Sequence, residues 1–399
     1  MRSYEKNRVP HIVFGNGSSA SAGERMKAMG CTKVLIVTDK GVVKAGLVAP
    51  IAEALEKAGL EYVIWDKSMP NAPDTTCLEC ADFLNGEQCD GVLAIGGGSS
   101  IDTAKASTLI SNLPEKPKDL HEYGGLGMKM KPSYTRKVKF VCIPTTAGTG
   151  AEATVSAVIH DTKRNIKYSF MNENTVPDLN LIDPELTVKM PAFPTACVGI
   201  DAMSHALESI VGLGQNEYTD RLNMQCIELV WRWLPIAIKE PENMAAREAL
   251  AWAANNAESN GGAANGHAVS HALGARYNII HGEACAMVMP TLVRHHAKQA
   301  EDNLRIMAKF IGIPYDEDKE TLARRVADAI VRFNRSCGLR SFKEAMKANG
   351  FHDSKAEYVE NCIEPILDDY KSRVWNPPIH GAEDRDRLVA VLESIYDEE

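Results

Sequence analysis

Apolar positions along the chain follow two different rhythms. Up to about residue 185, short aliphatic and β-branched runs stand between stretches with helical spacing: KVLIVT (33–38), YVIW (62–65), GVLAI (91–95), KFVCIP (139–144) and LNLID (179–183). Runs of that length read as buried strands, and strands that alternate with helices build a parallel sheet. Beyond DPELTVKMP the texture changes to long Ala-, Leu- and Met-rich segments at 198–212, 217–237, 242–260, 300–311, 319–336 and 384–396, which read as helices. Pro184, Pro191 and Pro194 interrupt both patterns, so the boundary is expected there: an α/β domain over 1–185, then an all-helical domain over 186–399.

Composition narrows the class. A chain of 399 residues exceeds what one core usually organises, and 45% apolar content suffices for two. With 44 basic and 53 acidic residues the net charge is −9, and no basic stripe offers a footprint for nucleic acid. No apolar run approaches the roughly 18 residues of a membrane span, and MRSYEKNRVP lacks the apolar core of a signal peptide, so a cytoplasmic protein without membrane contact is expected. The ten cysteines show no paired framework, and the single CxxC, Cys77 and Cys80, has no second pair to complete a zinc site; both read as ordinary helix positions.

Candidate chemistry sits in both halves. VLAIGGGSSIDTAKAS is a strand, three glycines, two serines and a helix, with Asp102 expected in its first turn. Glycines let a ligand approach the backbone and a helix start offers free N–H groups, so Gly96, Gly97, Gly98 and Ser99 are candidate phosphate contacts. The plainer reading is a tight turn capped by Ser99 or Ser100. Asp102 would repel a pyrophosphate and is expected to cap the helix or meet a sugar or amide group. IPTTAGTGAE (143–152) adds hydroxyl and amide donors after another strand. Asp39, ending VLIVTD, could grip a ribose diol or simply cap a helix. It precedes the glycines by 57 residues, whereas the usual dinucleotide fingerprint puts the acid about 20 residues after them.

In the second half, Asp201 and His205 are four apart in GIDAMSHALES, as are His267 and His271 in GHAVSHALG, and His281 follows a break around ARYNII. Spacing of four puts two side chains on one helical face, where they can converge on an ion. Spacing alone leaves open whether His267 or His271 is the ligand.

Taken in order, GGGSSIDTAK, PTTAGTGAE, DPELTVKMP, DAMSHALE and GHAVSHALG…HGEA resemble the iron-dependent, group III alcohol dehydrogenases over essentially the whole chain. The resemblance implies an α/β dinucleotide-binding domain followed by an all-α metal-binding domain, the dehydroquinate synthase-like architecture. It implies that Asp201, His205, His267 and His281 bind Fe²⁺, with Zn²⁺ as an alternative, while His271 lies in the substrate cleft as a proton relay. It also implies NAD(H) as cofactor, with Asp39 at the adenosine ribose, Asn71 and Lys167 along the cofactor, and Thr145, Thr146 and Thr149 helping to hold it. The expected reaction is hydride transfer between nicotinamide and a short primary alcohol or aldehyde, the metal polarising the substrate oxygen. A homodimer or larger homo-oligomer is expected.

The chain departs from the family pattern in places. Ala151 stands where GTGSE is frequent, and ESNGGAANGH gives Ser259 and Asn260 a small polar setting where bulkier apolar groups are usual. DDYKSRVWNPP brings Ser372 and Arg373 toward substrate, and Ser156 completes the substrate candidates. An arginine there could pair with a carboxylate or sulfonate, so a reductase of anionic short aldehydes is the alternative reading; a surface arginine beside Asp368 or Asp369 is the plainer one. A dehydroquinate synthase-like lyase would need a denser basic cluster for a phosphorylated substrate, and a non-catalytic binding module leaves so many converging polar groups without a purpose.

Overall fold

The computed structural model describes residues 8–124, 131, 133–212, 216–259, 265–315, 318–372 and 382–398. One compact unit runs to Lys189 and the other begins at Met190.

The described residues of the first unit form eight strands: β1 (His11–Phe14), β2 (Lys33–Val37), β3 (Glu61–Trp65), β4 (Gly91–Gly96), β5 (Lys139–Pro144), β6 (Ser156–Asp161), β7 (Ile166–Met171) and β8 (Leu179–Ile182). Its helices are α1 (Ala22–Ala28), α2 (Lys40–Lys44), α3 (Ala49–Lys57), α4 (Asp74–Gly86) and α5 (Gly98–Ile110). Six strands form one parallel sheet in the order β1-β8-β5-β4-β2-β3. Its central strands are continuous apolar runs because both faces are covered. Val34, Ile36, Leu93, Ile95, Val141 and Ile143 face α1 and α3, while the alternate residues Leu35, Val37, Val92, Ala94, Phe140 and Cys142 face α4 and α5. Cys77 and Cys80 are core residues of α4, and burial pushes the Cys80 thiol up to about 12.

β6 and β7 form an antiparallel hairpin outside that sheet. Its turn is held by Asp161 Oδ1, which accepts from the N–H groups of Lys163 and Arg164 at 2.9 Å, with Asn165 in the left-handed region at φ 53°. Ala157, Ile159, Tyr168 and Phe170 pack from it onto Cys77, Ala81, Ala106 and Leu109 of α4 and α5.

The second unit is helical throughout its described residues: α6 (Ala192–Val211), α7 (Glu217–Lys239), α8 (Met244–Ser259), α9 (Asn265–Tyr277), α10 (His281–His295), α11 (Ala297–Ile311), α12 (Lys319–Ser336), α13 (Phe342–Ala348), α14 (Lys355–Ser372) and α15 (Ala382–Asp397). α10 is buried on all sides from Gly282 to Val293, as an apolar helix without a polar stripe must be. Gly282 permits its closest packing: a Cβ there would lie 1.9 Å from the Cys197 carbonyl oxygen of α6. Tyr277, Phe342 and Tyr358 fill a second core among α9, α13 and α14.

Candidate nucleotide loop and metal centre

In the first unit, β2 and β4 are neighbours, yet the chain continues from β2 to β3 on one side and from β4 to β5 on the other. Such a reversal opens a crevice outside the carboxyl ends of parallel strands, where nucleotides bind. Asp39 follows β2 and the glycines follow β4, so strand order explains why the acid comes first in sequence. Asp39 caps α2, its Oδ1 accepting from the N–H groups of Gly41 at 2.8 Å and Val42 at 3.0 Å. Its Oδ2 accepts from Ser100 Oγ at 3.2 Å, which joins it to the glycine turn.

Contrary to the plainer reading of that turn, no side chain among the described residues caps α5. Ser100 is committed to Asp39, and Ser99 Oγ accepts from the Asn71 N–H at 3.0 Å, so the first amides of α5 keep their capacity to bind an anion. Asn71 holds a left-handed conformation at φ 67°. The glycines are required by crowding: a Cβ on Gly96 would lie 2.7 Å from Ser100, and one on Gly98 2.8 Å from Thr149. Thr146 lies less tightly against Gly97, 3.2 Å from where a Cβ would stand, and the Thr145 N–H donates to the Gly96 carbonyl at 2.9 Å.

Asp102 lies further along the helix than expected. α5 begins at Gly98, so Asp102 lies in the second turn and faces inward, accepting from the Val158 N–H instead of capping the helix. Burial pushes its carboxyl up to about 7, against the pull of Lys105 and Lys167. Lys105 is fully buried and donates to the Thr154 and Ser156 carbonyls, each at 2.7 Å, tying α5 to β6. The Ser156 hydroxyl is buried with no hydrogen-bond partner among the described residues.

In the second unit α6, α9 and α10 bring the acid and the histidines together. Asp201 Oδ1 lies 3.4 Å from His267 Nε2, 3.5 Å from His281 Nε2 and 4.0 Å from His205 Nε2. The His205 and His267 rings stack at 4.2 Å, and the His271 ring lies 5.1 Å from that of His281. Two further groups, which sequence reasoning missed, complete the arrangement. Glu208 Oε1 is 2.5 Å from His267 Nδ1, and Glu208 Oε2 accepts from the Gly266 and His267 N–H groups. Cys285 Sγ lies 3.7 Å from Asp201 Oδ1 and 3.8 Å from Nε2 of both His267 and His281. Their spacings carried the signal: Glu208 is three residues past His205, and Cys285 is four past His281, each on the same helical face.

The electrostatics suit a cation. Burial opposes ionisation of Asp201, but the imidazoles of His205, His281 and His267 outweigh it and hold the carboxyl well below the usual range. Burial likewise opposes charge on His267, yet Glu208, Cys285 and Asp201 raise its pKa well above the ordinary value. A field that favours a proton at the centre of these donors also favours a divalent ion. With a metal in place, the Glu208 carboxylate on Nδ1 would present the His267 Nε2 lone pair to the ion, the usual support for a metal-binding histidine. The residues present therefore fit a metal, and Asp201, His267, His281 and Cys285 form a group able to hold one.

Residues 10–184 match the model of iron-containing alcohol dehydrogenases, and residues 195–363 match the C-terminal model of the same family. The chain belongs to the iron-containing alcohol dehydrogenase family. It is 36% identical over 336 residues to an NAD-dependent methanol dehydrogenase of Bacillus methanolicus, covering 83% of this chain and 86% of that one. It is 34% identical over 328 residues to a lactaldehyde reductase of Escherichia coli (strain K12), covering 82% and 85%. A crystal structure of a 1,3-propanediol oxidoreductase superposes with a TM-score of 0.87 at 28% identity, over 99% of this chain and 100% of that one.

Among the substrate candidates, Asn260 and Arg373 lie outside the described residues, as do the side chains of Ser259 and Ser372. Arg340 is the described arginine beside the metal residues: it holds Glu283, two past His281, through two 2.8 Å contacts. That pairing fixes the first turn of α10.

Proposed function

We propose that Asp201, His205, His267 and His281 hold the metal of an NAD(H)-dependent oxidoreductase that interconverts a short primary alcohol and its aldehyde. The reaction class follows from the family; the observation that carries the residue assignment is the convergence of three buried α-helices on one point, with Asp201 Oδ1 at its hub. When bound, the metal supplies Lewis-acid polarisation of the substrate oxygen and the nicotinamide supplies or accepts the hydride. Glu208 holds His267 in the tautomer that presents Nε2. His271, on the same face of α9 as His267, moves the proton at one of its ring nitrogens. In the nucleotide unit the uncapped amides of α5 and the hydroxyls of Thr146 and Thr149 bind the pyrophosphate, and Asp39 accepts from a ribose hydroxyl.

Two coarser expectations belong with this reading. Ten buried, unpaired cysteines suit a reducing compartment, which supports the cytoplasm. β1 ends the parallel sheet with Ile12 40% and Phe14 41% exposed, and an apolar edge strand of this kind supports pairing with a second copy. The test of the reading is metal-dependent NADH oxidation with aldehydes of two to four carbons. It fails if the metal-loaded protein binds NADH and reduces none of them.

A further inference from the structure

We propose that Ser100 is a specificity-determining residue of the nucleotide site: it fixes the Asp39 carboxylate that selects NAD(H) over NADP(H). This rests on the reading above that Asp39 meets the adenosine ribose. Ser100 Oγ lies 3.2 Å from Asp39 Oδ2, a contact that spans 61 residues of chain. An ionised carboxylate only accepts, so the hydroxyl donates. A serine or threonine within a helix ordinarily turns its hydroxyl back to a carbonyl of the same helix. Along α5, Thr103, Ser107, Thr108 and Ser111 do so, each to a residue three or four positions earlier. Ser100 instead reaches across to the N-cap of α2. Gly96 keeps that path open, since a Cβ there would lie 2.7 Å from Ser100 Oγ and 3.6 Å from Asp39 Oδ2. Ser100 is 1% exposed, so water competes little for the bond.

The bond completes the immobilisation of the carboxylate. A carboxylate has about four acceptor positions, two on each oxygen. Oδ1 takes the N–H groups of Gly41 and Val42, and Oδ2 takes Ser100. The position left over is on Oδ2, where a ribose hydroxyl completes the set. Held only at Oδ1, the carboxylate could pivot. Held at both oxygens, it cannot swing aside for a 2′-phosphate, and the two negative charges repel at close range. The two ends of the glycine turn therefore divide the cofactor between them: the first amides of α5 suit its phosphates, and Ser100 acts on its ribose through Asp39.

Equilibrium titrations of the full chain with NADH and with NADPH test this, read as the ratio of the two dissociation constants in the wild type, Ser100→Ala, Asp39→Gly and the double variant. Alanine is smaller than serine and the better helix former, so the fold of Ser100→Ala is kept. We expect Ser100→Ala to narrow the preference for NADH by about 3- to 10-fold, the worth of one hydrogen bond, and Asp39→Gly to narrow it further. In the double variant the ratio should equal that of Asp39→Gly, because Ser100 acts only through Asp39. A serine with a purely structural role would weaken both cofactors alike and leave the ratio unmoved. That result in Ser100→Ala, beside a narrowed ratio in Asp39→Gly, overturns the inference and leaves Asp39 at the ribose. A Ser100→Ala effect that persists in full in the Asp39→Gly background overturns it as well. An Asp39→Gly protein with the wild-type ratio removes Asp39 from the ribose and the inference with it.

Discussion

Gly282→Ala separates two opposed physical effects at a single methyl group. Inside a helix, alanine is better than glycine by roughly 0.8–1 kcal/mol, so local propensity predicts a more stable protein. At this position the new Cβ would lie 1.9 Å from the Cys197 carbonyl oxygen and 2.5 Å from its carbon, and backbone atoms of a buried helix cannot rotate away. Restoring ordinary contact moves the start of α10 by about 1.5 Å relative to α6, and overpacking of this kind costs typically about 1–3 kcal/mol. The displaced residue next to Gly282 is His281, whose Nε2 is 3.5 Å from Asp201 Oδ1. Metal–ligand distances tolerate only about 0.2 Å, so the centre should lose affinity, and a misplacement near 1 Å costs about 100-fold in rate. Thermal unfolding and metal content of Gly282→Ala are the assays, with Gly86→Ala as the control. Gly86 ends α4 with nothing near its Cβ position, so its substitution should stabilise by about 0.4–1 kcal/mol. A Gly282→Ala protein as stable as the wild type, with full metal content, would refute the packing argument.

Glu208→Gln should weaken metal binding about tenfold and Glu208→Ala up to about 100-fold in chelator competition, because the charge that orients His267 is lost; unchanged affinity removes Glu208 from the centre. His267→Ala and His281→Ala should lose both metal and turnover, whereas His271→Ala should keep the metal and lose rate, and equal metal loss in all three would contradict the relay assignment. Asp39→Gly should narrow the preference for NADH over NADPH at little cost in stability, since glycine is a tolerated N-cap; a wild type that already uses both cofactors equally would show that Asp39 does not read the ribose. Asp102 holds its proton in the folded state up to about pH 7, while the unfolded chain releases it near 4, so this group makes the protein less stable as pH rises through that window. Asp102→Asn should therefore gain stability relative to the wild type between about pH 4 and 7 in denaturant titrations, and parallel curves would contradict the assignment.

The inner strands β2, β4, β5 and β8 were legible because burial on both faces makes them nearly uninterrupted apolar runs. β1 and the β6–β7 hairpin were not. HIVF is a four-residue edge strand with exposed positions, and the hairpin is short, with only alternate residues of β6 buried. The glycine loop was legible as chemistry, but the order of Asp39 and Gly96 made sense only once β2 and β4 stood side by side. Asp102 was misjudged because the helix was started too late: Gly98 is helical, which carries the carboxylate one turn inward. At the metal centre the histidine spacing revealed pairs, while Glu208 and Cys285 escaped notice because an acid in a helix and a cysteine among apolar residues are ordinary on their own. Their meaning comes from the packing of α6, α9 and α10, and no single-helix pattern contains it.

The central claim, a metal held by Asp201 and the histidines in a nicotinamide-dependent oxidoreductase, is tested most directly by one titration. Strip the protein with chelator, add NADH and a short aldehyde, and follow NADH oxidation as Fe²⁺ is returned under anaerobic conditions. The rate should rise from baseline and saturate at one metal per chain, and the same titration of His281→Ala should stay flat. Full activity in the stripped protein, or an equal response in His281→Ala, would contradict the account.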